Sequence, residues 1–175
     1  MSFTESSHLD AKNRDFVIPL DTGIQTLDSW TSSEGQKKKV MAFGTFDIFH
    51  PGHVYYLTEA ERLGDSFTIV IARDERVAKL KGRRPRDDEE TRQRNVAHAF
   101  RTAEVIMGDE EDIFVPLRLC TPDVLVFGYD QRVPEDKIKE LFPAIEIARV
   151  GSYEPEKWKS SLLRAQKEKE AQELF

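Results

Sequence analysis

The chain has 175 residues, a length that fits one domain. Its formal net charge of −6 argues against a general nucleic-acid binder. The single cysteine excludes an internal disulfide, and no apolar run approaches the roughly 20 residues that a membrane span needs. The polar N-terminus does not resemble a signal peptide. We therefore expect a cytoplasmic protein that binds neither nucleic acid nor membrane.

The composition divides the chain into three parts. Residues 1–37 are rich in Ser, Thr and Asp and have no regular apolar period, so we expect an N-terminal extension that is partly disordered. One folded domain follows at residues 38–164. Residues 165–175 are strongly charged and are expected to form the end of a C-terminal helix.

Five short apolar runs within the domain are typical of buried strands. They lie at residues 40–43, 67–72, 104–107, 124–127 and 145–150. The runs are continuous rather than alternating, which is typical of parallel strands that are covered on both faces.

Helical patterns separate these strands. They cover residues 51–63, 88–100, 112–119 and 135–142, and a last helix begins near residue 160. Strands that alternate with helices predict an α/β fold, here a Rossmann-like, doubly wound, five-stranded parallel sheet with helices on both faces. In such a sheet the ligand crevice lies at the carboxyl ends of the strands.

The segment after the first strand carries the strongest functional signal. From Gly44 to His53 it reads Gly-Thr-Phe-Asp-Ile-Phe-His-Pro-Gly-His. Gly44 lets a ligand approach the backbone closely, and Pro51 suits the first turn of a helix. Gly52 leaves space at the helix N-terminus, where free N–H groups favour a phosphate.

Two histidines of this segment are the candidate catalytic residues. His50 and His53 are three residues apart, so on a first helical turn they share a face. There they can donate hydrogen bonds to phosphate oxygens that gain charge in a transition state. A metal site is the alternative, but no cysteine or third histidine lies nearby in the sequence. The Gly-x4-Gly-Lys loop of phosphate-binding NTPases is absent from the sequence.

A basic stretch follows the second strand. Five basic residues and no acids lie from Lys79 to Arg86, and four acids follow at 87–90. The charge pattern by itself leaves two interpretations open: an anion site, or a solvated loop that leads into a helix start. RNA binding is disfavoured by the net acidity and by the lack of aromatic residues within the stretch.

The segment 44–53 resembles the signature of the cytidylyltransferase-like superfamily of nucleotidyltransferases, in which Gly-Thr-Phe-Asp precedes His-x-Gly-His. The resemblance covers about residues 39–164. It implies catalysis by His50 and His53 with Lys81. It also implies a nucleotide site made of Gly44, Thr45, Phe46, His50, Gly52, His53, Asp130, Ser160 and Ser161.

The same resemblance implies a site for the phosphate of the acceptor. Paired lysines after the second strand and basic residues on the following helix would form it: Lys79, Lys81, Arg92 and Arg101. Asp47 is a candidate magnesium ligand. Its alternative role is to bond loop backbone N–H groups.

The last motif departs from the glycerol-3-phosphate cytidylyltransferases, because the Arg-Thr pair expected before Ser160 is missing. Gly-Tyr-Asp-Gln at 128–131, the acidic run at 108–112 and Lys-Ser-Ser at 159–161 resemble instead the archaeal-type FAD synthases, which transfer AMP from ATP to FMN. The resemblance implies ATP and FMN as substrates, Mg²⁺ that enters with the triphosphate, and a homodimer.

Three alternatives stay open at this point. The chain could be a cytidylyltransferase that joins CTP to a polyol or amino-alcohol phosphate. It could be an adenylyltransferase with another acceptor. It could also be a catalytically inactive module that only binds a nucleotide.

Overall fold

The computed structural model describes residues 37–154, 156–158 and 160–173. The expected N-terminal extension lies outside this part of the chain except for Lys37, and Lys159 lies outside it too. Among the described residues, no helix is both long and apolar enough to cross a membrane.

In the part of the chain that the structure describes, five parallel strands form the sheet, as predicted. They are β1 (Lys39–Gly44), β2 (Ser66–Ile71), β3 (Glu104–Met107), β4 (Val124–Gly128) and β5 (Glu146–Val150). The spatial order is β3-β2-β1-β4-β5, and every neighbouring pair is parallel. The chain therefore winds outward from β1 in one direction and from β4 in the other. This places the switch point of the sheet between β1 and β4.

Within the described residues, six helices connect or follow the strands. They are α1 (Pro51–Glu61), α2 (Asp74–Lys81), α3 (Glu89–Ala99), α4 (Val115–Cys120), α5 (Glu135–Leu141) and α6 (Ser160–Glu173). The apolar pattern predicts five of them but not α2. Val77 is the only buried residue of α2, so this helix has no apolar stripe to detect.

The core lies on both faces of the sheet. Side chains of β1 alternate between the faces: Val40 and Ala42 pack in the same cluster as Leu57 of α1, and Met41 packs with Leu117 of α4. Because both faces are covered, the strands are apolar on both sides, which confirms the interpretation of their continuous apolar runs.

Candidate active site

A cavity of about 420 Å³ opens at the carboxyl ends of β1 and β4. It lies where the topology of a doubly wound sheet predicts a ligand site. Most of the expected nucleotide-binding residues line it: Gly44, Thr45, Phe46, His50, Gly52, His53, Asp130 and Ser161. Ser160 begins α6, but its side chain is outside the described part of the structure.

The signature loop between β1 and α1 has an unusual backbone. Phe46 and Ile48 have φ angles of 54° and 50°, in the left-handed region that side chains rarely adopt. The Phe46 ring folds back over Gly44, where a Cβ atom would lie only 2.4 Å from the ring. Gly44 is therefore needed by the loop itself, whereas the sequence suggested that it makes room for a ligand. Such strain is typical of functional loops.

The two histidines lie face to face at the start of α1. The ring centroids of His50 and His53 are 3.7 Å apart, with 21° between the ring planes. Phe46 and Phe49 flank His53 at 5.3 and 5.7 Å. A Cβ atom at Gly52 would lie 3.0 Å from the His50 ring, so the glycine makes room for this stack.

The stacked rings are neutral at physiological pH. Burial lowers the pKa of His50 from 6.5 to about 4. Burial, reinforced by the neighbouring His50, lowers the pKa of His53 to about 3. A neutral imidazole has one N–H. The Nδ1 atom of His53 is buried and has no hydrogen-bond partner among the described residues, which leaves Nε2 as the nitrogen able to bond a ligand.

The Asp47 carboxylate joins three segments around the cavity. Its Oδ1 accepts hydrogen bonds from the backbone N–H groups of Arg86 (2.9 Å) and Asp87 (3.1 Å). Its Oδ2 accepts one from Arg164 of α6 at 2.6 Å. Burial alone would raise the pKa of Asp47, but these bonds outweigh it and lower the pKa.

These bonds bear on the two roles expected for Asp47. The role of bonding backbone N–H groups is the one observed. Both oxygens accept hydrogen bonds in this conformation, and a contact between Asp47 and magnesium stays a prediction. Among the described residues, no group of three or more His, Cys, Asp or Glu side chains could hold a metal ion.

Arg92 lies beneath the cavity rather than in it. Its side chain is fully buried. The guanidinium donates to the carbonyl oxygens of Thr45, Ala72 and Asp87 and to the carboxylate of Asp74. The expectation that Arg92 binds the acceptor phosphate is therefore wrong for this conformation, because its donors are used to hold the loops after β1 and β2.

The expected pair of lysines is not brought together. Lys81 lines the cavity, and its Nζ donates to Thr45 Oγ1 at 3.2 Å. Burial lowers the pKa of Lys81. Lys79 does not line the cavity. It lies two residues from Lys81 on α2, and such residues point to almost opposite sides of a helix. No helix is predicted over this stretch, so the difference between the two lysines could not be predicted from the sequence.

Three other basic residues also differ from expectation. Arg101 is exposed and follows α3 at the amino edge of the sheet, opposite the cavity, so the structure does not support a contact with an acceptor phosphate there. Arg83 and Arg84 line the cavity, although a solvated loop was one interpretation of this stretch.

The loop after β4 forms the far wall of the cavity. Gln131 folds back so that its side-chain Nε2 donates to Phe43 O at 2.8 Å and its Oε1 accepts from Gly128 N at 3.0 Å. Arg149 of β5 donates to the carbonyl oxygens of Gly128 (2.9 Å) and Gln131 (3.1 Å). These contacts could not be predicted from the sequence, because they join side chains to distant backbone groups and leave no local pattern.

A protein-family model covers the segments that build this site. The sequence model described as cytidylyltransferase-like matches residues 41–166. The chain belongs to the cytidylyltransferase-like family. Three of its curated relatives are FAD synthases from archaea. That of Methanoregula boonei is 40% identical over 139 residues, which are 77% of this chain and 92% of the relative.

The two other relatives align over shorter segments. The FAD synthase of Ferroglobus placidus is 47% identical over 103 residues, which cover 59% of this chain and 66% of the relative, just under two thirds of its length. That of Haloferax volcanii is 46% identical over 109 residues, or 61% of this chain and 74% of the relative. Together with the family match, these relatives indicate that the chain is a nucleotidyltransferase.

Solved structures agree on the fold. A crystal structure of the lipopolysaccharide core biosynthesis protein from Thermoplasma volcanium superimposes with a TM-score of 0.63 and 32% identity, and covers 68% of this chain and 100% of that protein. Pantothenate synthetase from Thermus thermophilus gives a TM-score of 0.53 at 14% identity, with 73% of this chain and 61% of that protein covered. The second likeness concerns the fold alone.

The depressed histidine pKa values predict a pH dependence of stability. Between pH 6.5 and about 4 the unfolded chain binds more protons at His50 and His53 than the folded chain. The free energy of unfolding therefore falls as pH is lowered through this window. We predict that His53→Gln loses less stability than the wild type between about pH 7.5 and about pH 5, as measured by urea denaturation. The exposed His98→Gln is the control, and equal losses in His53→Gln and the wild type would contradict the burial of His53.

Proposed function

We propose that this nucleotidyltransferase transfers AMP from ATP to FMN and releases FAD and pyrophosphate. The observation that carries the proposal is the coincidence of two facts. The cavity is built from the family signature, and relatives at 38–47% identity are FAD synthases.

The reaction needs one displacement at phosphorus. A phosphate oxygen of FMN attacks the α-phosphorus of ATP and forms the new O–P bond. The bond from the α-phosphorus to the bridging oxygen of the β-phosphate breaks, and pyrophosphate leaves with that electron pair. The FMN phosphate is already ionised at neutral pH, so the site needs no strong general base. Catalysis then consists of positioning and charge stabilisation.

The cavity offers the groups that this reaction needs. The open N-terminus of α1 and the neutral rings of His50 and His53 would bond the triphosphate oxygens. Ser161 of α6 would contact the same phosphates, since it lines the same cavity. Neutral imidazoles suit this role, because they donate hydrogen bonds without adding two buried positive charges to the site.

The acceptor phosphate would lie near Lys81. This lysine reaches across to Thr45 of the signature loop and is the predicted acceptor-site lysine that lines the cavity. Arg83 and Arg84 line the same side and add positive charge where a dianionic phosphate would enter.

Magnesium would enter with the triphosphate. The described carboxylates provide no dedicated cage for it, and Mg²⁺ in nucleotide sites often keeps mainly phosphate and water ligands. The homodimer suggested by the family resemblance stays a prediction that sedimentation can test.

Substrate choice is tested by combining ATP or CTP with FMN, glycerol 3-phosphate or phosphoethanolamine and reading the products by mass. We predict FAD from ATP and FMN and little product in the other combinations, because a site built for one base leaves polar groups unpaired with another. A CMP adduct of an alcohol phosphate without FAD would assign the chain to the cytidylyltransferases. A nucleotide-binding module would release no pyrophosphate with any combination.

Lys81 and Lys79 form a matched pair on two sides of α2. We predict that Lys81→Ala raises the KM for FMN by about tenfold or more, because a charge-assisted hydrogen bond to phosphate is lost. Lys79→Ala should stay close to the wild type. Steady-state kinetics with varied FMN measures both variants. Equal defects in the two variants would show that the FMN phosphate is not bound specifically by Lys81.

A further inference from the structure

β1 and β4 stop pairing before either strand ends. Their register runs from Val40–Val124 to Ala42–Val126. Beyond that point β1 continues beside β2, and β4 continues to Gly128 beside β5. The last residues of β1 and of β4 are therefore no longer paired with each other. The gap between them forms the base of the cavity.

The side-chain amide of Gln131 stands in this gap. It donates to Phe43 O on β1 at 2.8 Å and accepts from Gly128 N on β4 at 3.0 Å. An amide has a donor and an acceptor like a peptide group. It therefore replaces one rung of the ladder and holds the strands apart by the width of one amide.

Two other side chains fix the same gap. The buried Tyr56 donates from its hydroxyl to Val126 O at 2.7 Å, next to the last paired position of β4. Arg149 holds the carbonyl oxygens of Gly128 and Gln131 from the opposite side. The loop that begins at Gly128 is therefore bonded to both neighbouring strands.

We propose that Gln131 is a positioning residue that sets the width of the crevice between β1 and β4 and thereby the fit of the nucleoside part of the triphosphate. Tyr129 and Asp130 lie between its backbone and its Gly128 anchor, and both line the cavity. Without the bridge, Gly128 N loses its hydrogen bond, and Phe43 O keeps only the longer one from the Tyr56 hydroxyl at 3.4 Å. Backbone groups that are shielded from water need such partners, so the two strand ends would shift to find others. The inference rests on the proposed function only in taking ATP as the nucleotide.

The test compares Gln131→Met with Gln93→Met. The first removes both bonds of the bridge and keeps the length of the side chain. The second removes a similar bond, from Gln93 Nε2 to Val105 O at 2.9 Å, in a side chain that does not line the cavity. ATP binding is measured by calorimetry without FMN, and FAD formation is then followed with ATP or FMN varied.

We expect Gln131→Met to weaken ATP binding and raise the KM for ATP by about tenfold, as the loss of a partly buried bridge of two hydrogen bonds implies. Its kcat and its KM for FMN should change much less, and Gln93→Met should resemble the wild type. Unchanged ATP affinity in Gln131→Met would overturn the inference. A loss confined to kcat, or an equal loss in Gln93→Met, would overturn it too.

A second variant covers the case in which Gln131→Met does not fold. Tyr56→Phe removes only the hydroxyl that bonds Val126 O on β4 and, at 3.4 Å, Phe43 O on β1, and we expect weaker ATP binding from a folded protein. Unchanged ATP affinity in Tyr56→Phe would then overturn the inference. A wild type that binds ATP but forms no FAD would refute the proposed acceptor and leave the inference to be decided by ATP affinity.

Discussion

The site depends on one buried cation. The Arg92 guanidinium has no exposed surface and reaches the carbonyl oxygens that follow β1 and β2, together with the Asp74 carboxylate. A buried charge is costly unless its partners are held close, so these loops cannot move independently. The Asp47 carboxylate does the same with opposite charge, because it binds the backbone before α3 and Arg164 of α6. The walls of the cavity are tied together by these two groups.

Within this frame the histidine pair acts as a rigid donor pair. The left-handed Phe46 and Ile48 and the two close contacts made by glycines leave His50 and His53 stacked in one arrangement. Burial keeps both rings neutral, which avoids repulsion between two cations 3.7 Å apart. Preorganised donors of this kind lower a barrier because little reorganisation is needed as charge develops on the phosphates.

The strands and the signature were predictable because each has a local pattern: continuous apolar runs for β1 to β5, and a fixed spacing for His50, Gly52 and His53. Helix α2 was missed because the pattern sought was apolar. Its polar signals were present, with acids in the first turn, Lys79 and Lys81 in the last, and Gly82 at the left-handed cap with φ 69°. Arg92, Gln131 and Tyr56 bond backbone oxygens that are distant in sequence, and no local pattern encodes such partners.

The central claim is that the stacked histidines promote transfer of the α-phosphoryl group of ATP. Single-turnover reactions with FMN and ATP labelled at the α-phosphorus test it most directly. The account predicts that the label appears in FAD and that His50→Asn or His53→Asn slows its appearance by about 10²–10³-fold, the usual effect of losing one transition-state donor. The fold, followed by circular dichroism, should be retained. Label that appears in ADP instead of FAD would contradict this claim. Near-normal rates in both variants would contradict it too.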